Sequence, residues 1–143
     1  YTNYCVINEV EASMIAGIPA RVEENIDCES VKRICSRLFE MGVNDLVVIH
    51  SPEAGFAMDK GGTFYIQPSI ALPPDYIKGK VGAGDAFCAG IMYSIYKGWD
   101  YNYSLEFANA AAACCLSEIN ATDGMKSVET IREMITRMPK RKL

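Results

Sequence analysis

The sequence predicts an α/β fold on a mostly parallel sheet, with a β-hairpin added to it. A short β-prone run, 4-YCVI-7, is followed by two helical segments and then by a compact apolar run, 45-DLVVIH-50. Strand, helices and strand in that order make a crossover unit, expected to be parallel and right-handed. Unbroken apolar runs of this length suit strands buried on both faces. Two further β-prone segments, 54-AGFAMD-59 and 63-TFYIQ-67, flank 60-KGG-62, whose glycines offer the positive φ of a tight turn.

The elements follow in order. The first strand ends at Asn8, and 9-EVEASMIAG-17 has helical composition with Gly17 in place to stop it. The segment 18-IPA-20 breaks the chain. A second helix is capped by Asp27, carries Val31, Ile34, Cys35, Leu38 and Met41 on one face, and ends at Gly42. After the hairpin, Pro68, Pro73 and Pro74 exclude both helix and central strand. A helix then runs from Asp85 to Lys97 with Phe87, Ile91, Ile95 and Tyr96 on its apolar face, and Gly98 ends it. A longer one covers residues 102–119, where Ala108, Ala111, Ala112 and Ala113 permit close packing. Ser127 opens the last, through Val128, Ile131 and Ile135.

Composition narrows the function classes. With 143 residues, 50% hydrophobic and 22% charged, the chain suits one globular domain with an apolar core. A net charge of -4, with basic residues gathered only at Lys140, Arg141 and Lys142, argues against a nucleic-acid partner. That terminal cluster reads as a frayed tail. The six cysteines include no C-x-x-C pair and have no histidine beside them, so they read as reduced, mostly buried thiols of a cytoplasmic protein. The apolar run from Phe107 to Leu116 is too short to span a membrane. The chain opens on Tyr1 and enters an apolar stretch at once, as expected of a cut inside a longer protein.

The stretch 78-KGKVGAGDAF-87 carries two readings. Glycines turn the chain and Asp85 caps the following helix, or the freed backbone of Gly82, Ala83 and Gly84 holds an anion at the helix N-terminus. Neither the P-loop pattern nor the dinucleotide glycine pattern is present, since Phe87 stands where the latter needs its third glycine.

Asn8-Glu9-Val10-Glu11 after a strand, 46-LVVIHSPEAGFAM-58, and 81-VGAGDAFCAG-90 opening a helix together resemble the C-terminal half of the ribokinase-like, or PfkB-type, carbohydrate kinases. The resemblance runs in order across nearly the whole chain. It implies a ribokinase-like three-layer α/β/α fold, here as a partial domain over residues 1–143 that holds the nucleotide and catalytic part, without the sugar-binding half and lid. It implies ATP-dependent transfer of a phosphoryl group to a hydroxyl of a sugar or sugar-like substrate. Gly82, Ala83 and Gly84 would form the anion hole, and Asp85 would be the base that takes the hydroxyl proton. Phosphoryl transfer asks chiefly for positioning and for neutralised charge, which amides and one carboxylate supply.

Asn8 and Glu11 form an N-x-x-E pair. As local structure it is a capping box; by the resemblance it places Mg2+ and phosphate, usually through water. His50, Ser51, Glu53 and Gly55, after the second strand, fall where the family contacts the nucleotide. His50 is expected to line that cleft and not to act as base or metal ligand. Asn109 could bond its helix neighbours or a loop backbone, and by the resemblance borders the adenine pocket. Two departures stand out. The family's T-L-G is replaced by His50-Ser51-Pro52, and the D-T or D-T-T before the anion hole by Gly79-Lys80-Val81, where the Lys80 ammonium could supply the charge of a monovalent cation. A sheet lacking its neighbouring strands would leave an edge, expected to favour a homodimer or other association. A catalytically silent nucleotide-binding or interaction fragment is the alternative function.

Overall fold

Strand β1 (Thr2–Asn8) runs directly into helix α1 (Glu9–Ala16), because Asn8 both ends the strand and caps the helix. These and the elements below come from a computed structural model that describes residues 1–143. The chain forms two compact units, Tyr1–Ile66 and Gln67–Leu143, taken here in turn.

In the first unit β1 pairs in parallel with β4 (Val43–His50), and β4 pairs antiparallel with β5 (Ala54–Asp59). With β6 (Phe64–Pro68) the strand order is β1-β4-β5-β6, a mixed sheet. The expected hairpin is present. Asp59 Oδ1 accepts from the Gly61 and Thr63 amides at 2.9 and 3.0 Å, and Gly62 takes φ 83°.

Helix α1 and helix α2 (Cys28–Glu40) supply Ala12, Val31, Ile34, Cys35 and Leu38 to a core that they share with Val47, Ile49, Phe56 and Met58. Leu46 and Val48, which alternate with Val47 and Ile49, are also buried, as the unbroken apolar run requires. Complete burial of such a side chain is worth roughly 1.5–3 kcal/mol, so β4 anchors the unit. Asp27 caps α2 by accepting the Ser30 amide at 2.9 Å. Met41, placed on the buried face from sequence, is instead the helix's C-cap and is exposed.

A small hairpin went unanticipated. β2 (Arg21–Val22) and β3 (Asn25–Ile26) pair antiparallel across Glu23 and Glu24, at φ 47° and 69°. Such turns usually carry asparagine or glycine, and two glutamates give no signal for one.

In the second unit a 3-10 turn (Pro74–Tyr76) precedes helices α3 (Ala83–Lys97), α4 (Tyr101–Cys115) and α5 (Val128–Arg137). Helices α3 and α4 meet at Gly90, where a Cβ would lie 2.8 Å from the Ala108 Cα. Phe107, Ala111 and Cys114 of α4 pack with Ile131 of α5 and with Ile70. Tyr96, expected on the packed face of α3, is exposed; Ala86, Gly90 and Ser94 are buried there with Phe87 and Ile91. Helix α4 stops at Cys115 and not near Ile119, because the chain from Leu116 on turns back toward residues 78–82.

The basic terminus is not frayed. Ile70 bridges Lys140, the Arg141 amide donates to the Ser69 carbonyl at 2.8 Å, and the Lys140 ammonium pairs with the Glu106 carboxylate. Pairing with residues 69–71 gives that segment's backbone groups their partners. No helix is long and apolar enough to cross a membrane.

Candidate active site

In the first unit the sequence-predicted residues gather at one end of the sheet. Asn8 is the register partner of His50, and His50 of Gly55, so three strands place them in a single row. This is the carboxyl end of the parallel pair, where open α/β sheets bind ligands. Asn8 Oδ1 accepts the Val10 and Glu11 amides at 3.0 and 2.8 Å, and Glu11 Oε2 accepts the Asn8 amide at 3.2 Å. The capping-box reading therefore holds. Glu11 is exposed, with its second carboxylate oxygen outside the box.

Burial holds the His50 imidazole below its ordinary pKa, against an opposing pull from the carboxylates of Glu9 and Glu11. Beyond it, the loop Pro52–Glu53 joins β4 to β5. The buried Ser51 hydroxyl accepts the Glu53 and Ala54 amides, both at 3.2 Å, and reaches the Ala54 carbonyl at 3.3 Å. All of its bonds therefore lie within the loop.

Glu53 is gripped from the side. Arg21, on β2, donates through Nη1 and Nη2 to its two carboxylate oxygens at 3.1 and 3.0 Å, and through Nη2 to Glu9 Oε1 at 2.8 Å. Burial works to raise the Glu53 carboxyl, but the hydrogen bonds from Arg21 and Ser51 outweigh it and hold it below the usual carboxylate range. The bonds to Glu53 and then to Glu9 hold the guanidinium well above its ordinary value.

In the second unit α3 begins at Ala83, with Gly82 as its N-cap at φ 83°. The expectation that Asp85 caps the helix is thus corrected. The left-handed glycine turns the chain earlier, and Asp85 falls in the helix's first turn with its carboxylate exposed. No side chain caps this end. The Ala83 amide reaches the Lys80 carbonyl at 3.5 Å, and the first helical bond is Ala86 to Gly82 at 2.8 Å. The amides of Gly84 and Asp85, between them, take neither backbone nor side-chain acceptor, which leaves two donors and the positive end of the helix dipole beside the Asp85 carboxylate.

The loop after α4 supports this turn from behind. A Cβ on Gly79 would lie 2.7 Å from the Glu118 carbonyl oxygen and 2.8 Å from that of Ile119. The Cys115 thiol lies 3.7 Å from the Val81 carbonyl and 3.5 Å from that of Ala121. Burial first, and then the nearby Asp85 charge, push that thiol up. Asn109, buried on α4, donates to the Gln67 and Pro68 carbonyls at 2.9 and 3.3 Å. The loop-backbone bond expected of this residue is therefore present.

Residues 1–128 match the family described as pfkB family carbohydrate kinase. The chain belongs to that family. Among relatives of the pfkB chain, the 5-dehydro-2-deoxygluconokinase of Clostridium perfringens is 30% identical over 126 residues, 87% of this chain and 34% of the relative. The pfkB chain thus spans about a third of the length of the curated relatives it matches. Among solved structures, the ribokinase of Arabidopsis thaliana complexed with ribose and ATP superposes with a TM-score of 0.77 at 22% identity, over 90% of this chain and 40% of that one. A ribokinase II from E. coli in complex with ATP and Mg2+ gives 0.69 at 17% identity, over 92% and 39%. At these identities the likeness establishes the ribokinase-like fold.

Sequence reasoning passed over Arg21 and Ala121 in the pfkB chain. The only trace of Arg21 was a single cation between a helix stop and two glutamates. Ala121 had none, because its importance lies in how near its backbone comes to a glycine far along the chain.

Proposed function

We propose that this chain is the nucleotide-side and catalytic part of an ATP-dependent phosphotransferase that moves a γ-phosphoryl group to a hydroxyl of a sugar or sugar-like substrate. The observation that carries the reading is the start of α3, where unpartnered amides and an exposed carboxylate share one helical turn. Asp85 would accept the hydroxyl proton as the new oxygen–phosphorus bond forms and the bond to the leaving nucleotide breaks. The backbone of Gly82, Ala83 and Gly84 would hold the oxygens of the transferring group, stabilising charge as it spreads over them.

Glu11 and Asn8 would serve the metal. The fit is sensible: Asn8 Oδ1 already takes two amides, while Glu11 keeps one carboxylate oxygen clear, which suits an ion that retains most of its waters. When bound, Mg2+ would neutralise nucleotide phosphate charge. Asn8 would hold the Glu11 carboxylate in place for it. His50, Ser51, Glu53 and Gly55 would border the nucleotide, chiefly through the shape of their loop, since the Ser51 hydroxyl and the Glu53 carboxylate are already engaged. Asn109 would contribute by holding the backbone at Gln67 and Pro68. Likeness to neighbours solved with ATP, and in one case Mg2+, supports this choice of cofactors. The reading places the protein in the cytoplasm.

The edge of β1, exposed at Thr2, Asn3 and Tyr4, would take further strands or a second copy. A strictly monomeric mass for this chain by sedimentation would argue against association there.

The deciding experiment is ATP-dependent phosphorylation by the whole protein over a panel that starts with 5-dehydro-2-deoxygluconate and ribose, with Asp85→Asn beside wild type. Turnover by wild type and a loss of roughly a hundredfold or more in the variant are expected. A variant that keeps nearly its full rate would remove Asp85 from the role of base.

A further inference from the structure

We infer that Arg21 is a positioning residue that ties the start of α1 to the β4–β5 loop and so fixes the nucleotide end of this sheet. The inference rests on the phosphotransferase reading for what that end binds, but its geometry is independent of it. Arg21 makes bonds to three places at once: both oxygens of Glu53, one oxygen of Glu9, and the Glu24 carbonyl at 2.7 Å.

Each contact fixes something different. Glu9 is buried and lies between Asn8 and the rest of the capping box, so holding it orients the α1 turn that carries Glu11. Glu53 lies in the loop that follows His50, so holding it orients that loop. The bond to Glu24 braces the β2–β3 hairpin that carries Arg21, whose turn residues stand in the left-handed region. A planar fork with donors on both terminal nitrogens can make this set of bonds; a lysine ammonium, a single point of charge, cannot hold Glu53 in the same bidentate way.

Electrostatics gives the tie a second role. Glu9, Glu11 and Glu53 all lie at the end of the sheet where a polyanionic nucleotide is proposed to bind. Arg21 pairs with Glu9 and Glu53, leaving Glu11 as the carboxylate outside its reach. Without the guanidinium, two further negative charges would face the phosphates, one of them buried and unpaired.

The test compares wild type, Arg21→Gln and Arg21→Lys in the whole protein by two readouts. The first is hydrogen exchange without nucleotide. Arg21→Gln is expected to speed exchange at the Glu11 amide and the Glu53–Ala54 amides together, with partial recovery in Arg21→Lys. The second is kinetics: KM for ATP should rise roughly tenfold in Arg21→Gln with a smaller change in kcat, as for loss of a partner that orients ligand groups. The double variant Arg21→Gln/Glu9→Gln should recover part of that loss. Unchanged exchange, or exchange that quickens at only one of the two places, would overturn the tie. An unchanged KM alongside faster exchange at both would overturn its role in nucleotide binding. Wild-type protein with no turnover of ATP would sink the kinase reading instead, with the exchange result still deciding the tie.

Discussion

A Cβ placed on Gly82 would stand 2.6 Å from both the Cα and the carbonyl oxygen of Ala121, so the turn that opens α3 rests directly on the backbone of the loop after α4. Gly98 is the natural comparison, since it shares the left-handed conformation at φ 67° but a Cβ there meets nothing within 4 Å. Gly98→Ala is expected to cost about 1–2 kcal/mol, the backbone term alone, and to leave turnover unchanged. Gly82→Ala carries the same term plus displacement of Ala121, and should be the less stable in urea unfolding and lose most of its phosphorylation activity. Equal stability of the two variants would show that the loop yields freely.

Stability should decline as pH falls below about 6.5. Burial depresses the folded pKa of His50 below its ordinary 6.5, so the unfolded chain takes up that proton first, and protonation favours unfolding. The stabilisation is whole above 6.5 and is lost toward the lower folded pKa. Glu53, also depressed from 4.5, extends the decline at still lower pH. Melting temperatures read across this range should show the first part of the loss vanish in His50→Gln. A variant that follows the wild-type curve would exclude His50 as its source.

Phosphorylation is expected to be independent of potassium. At Gly79, where the resemblance implies an aspartate, the carbonyls of Glu118 and Ile119 crowd the space a side chain would need. Lys80 beside it is exposed. Rates in potassium and in sodium buffers of equal ionic strength should agree. A rate that depends on added potassium would refute the substitution of Lys80 for the ion.

Asn109→Leu should reduce stability by about 1–3 kcal/mol, because the Gln67 and Pro68 carbonyls lose their donor. KM for ATP should move little once the protein is assayed well below its melting point. A raised KM with unchanged stability would instead make Asn109 a direct nucleotide contact.

Much of this was legible in the sequence where one residue type does one local job. Asp27 and Ser127 cap their helices as expected, Gly17 and Gly98 stop theirs, and the apolar run of β4 from Leu46 to Ile49 is buried throughout. The pairing of Asn8 with Glu11 is readable as a box from its spacing alone. What escaped depends on contacts distant along the chain. Arg21 finds Glu53 across the unit, Ala121 supports Gly82, and Lys140 finds Glu106. Asp85 was misplaced as a cap for a subtler reason: a good capping residue stood beside a glycine whose left-handed turn begins the helix sooner.

If the proposed phosphotransferase roles hold, the row of Asn8, His50 and Gly55 makes strand alignment itself a condition of activity. β1 is irregular between Thr2 and Tyr4 and then pairs without interruption to Asn8. A slip of one residue would turn Asn8 to the opposite side of the sheet and carry Glu11 with it. Such a molecule would be inert and not merely slower. After refolding, specific activity should therefore count the correctly paired molecules, while KM stays that of the native protein.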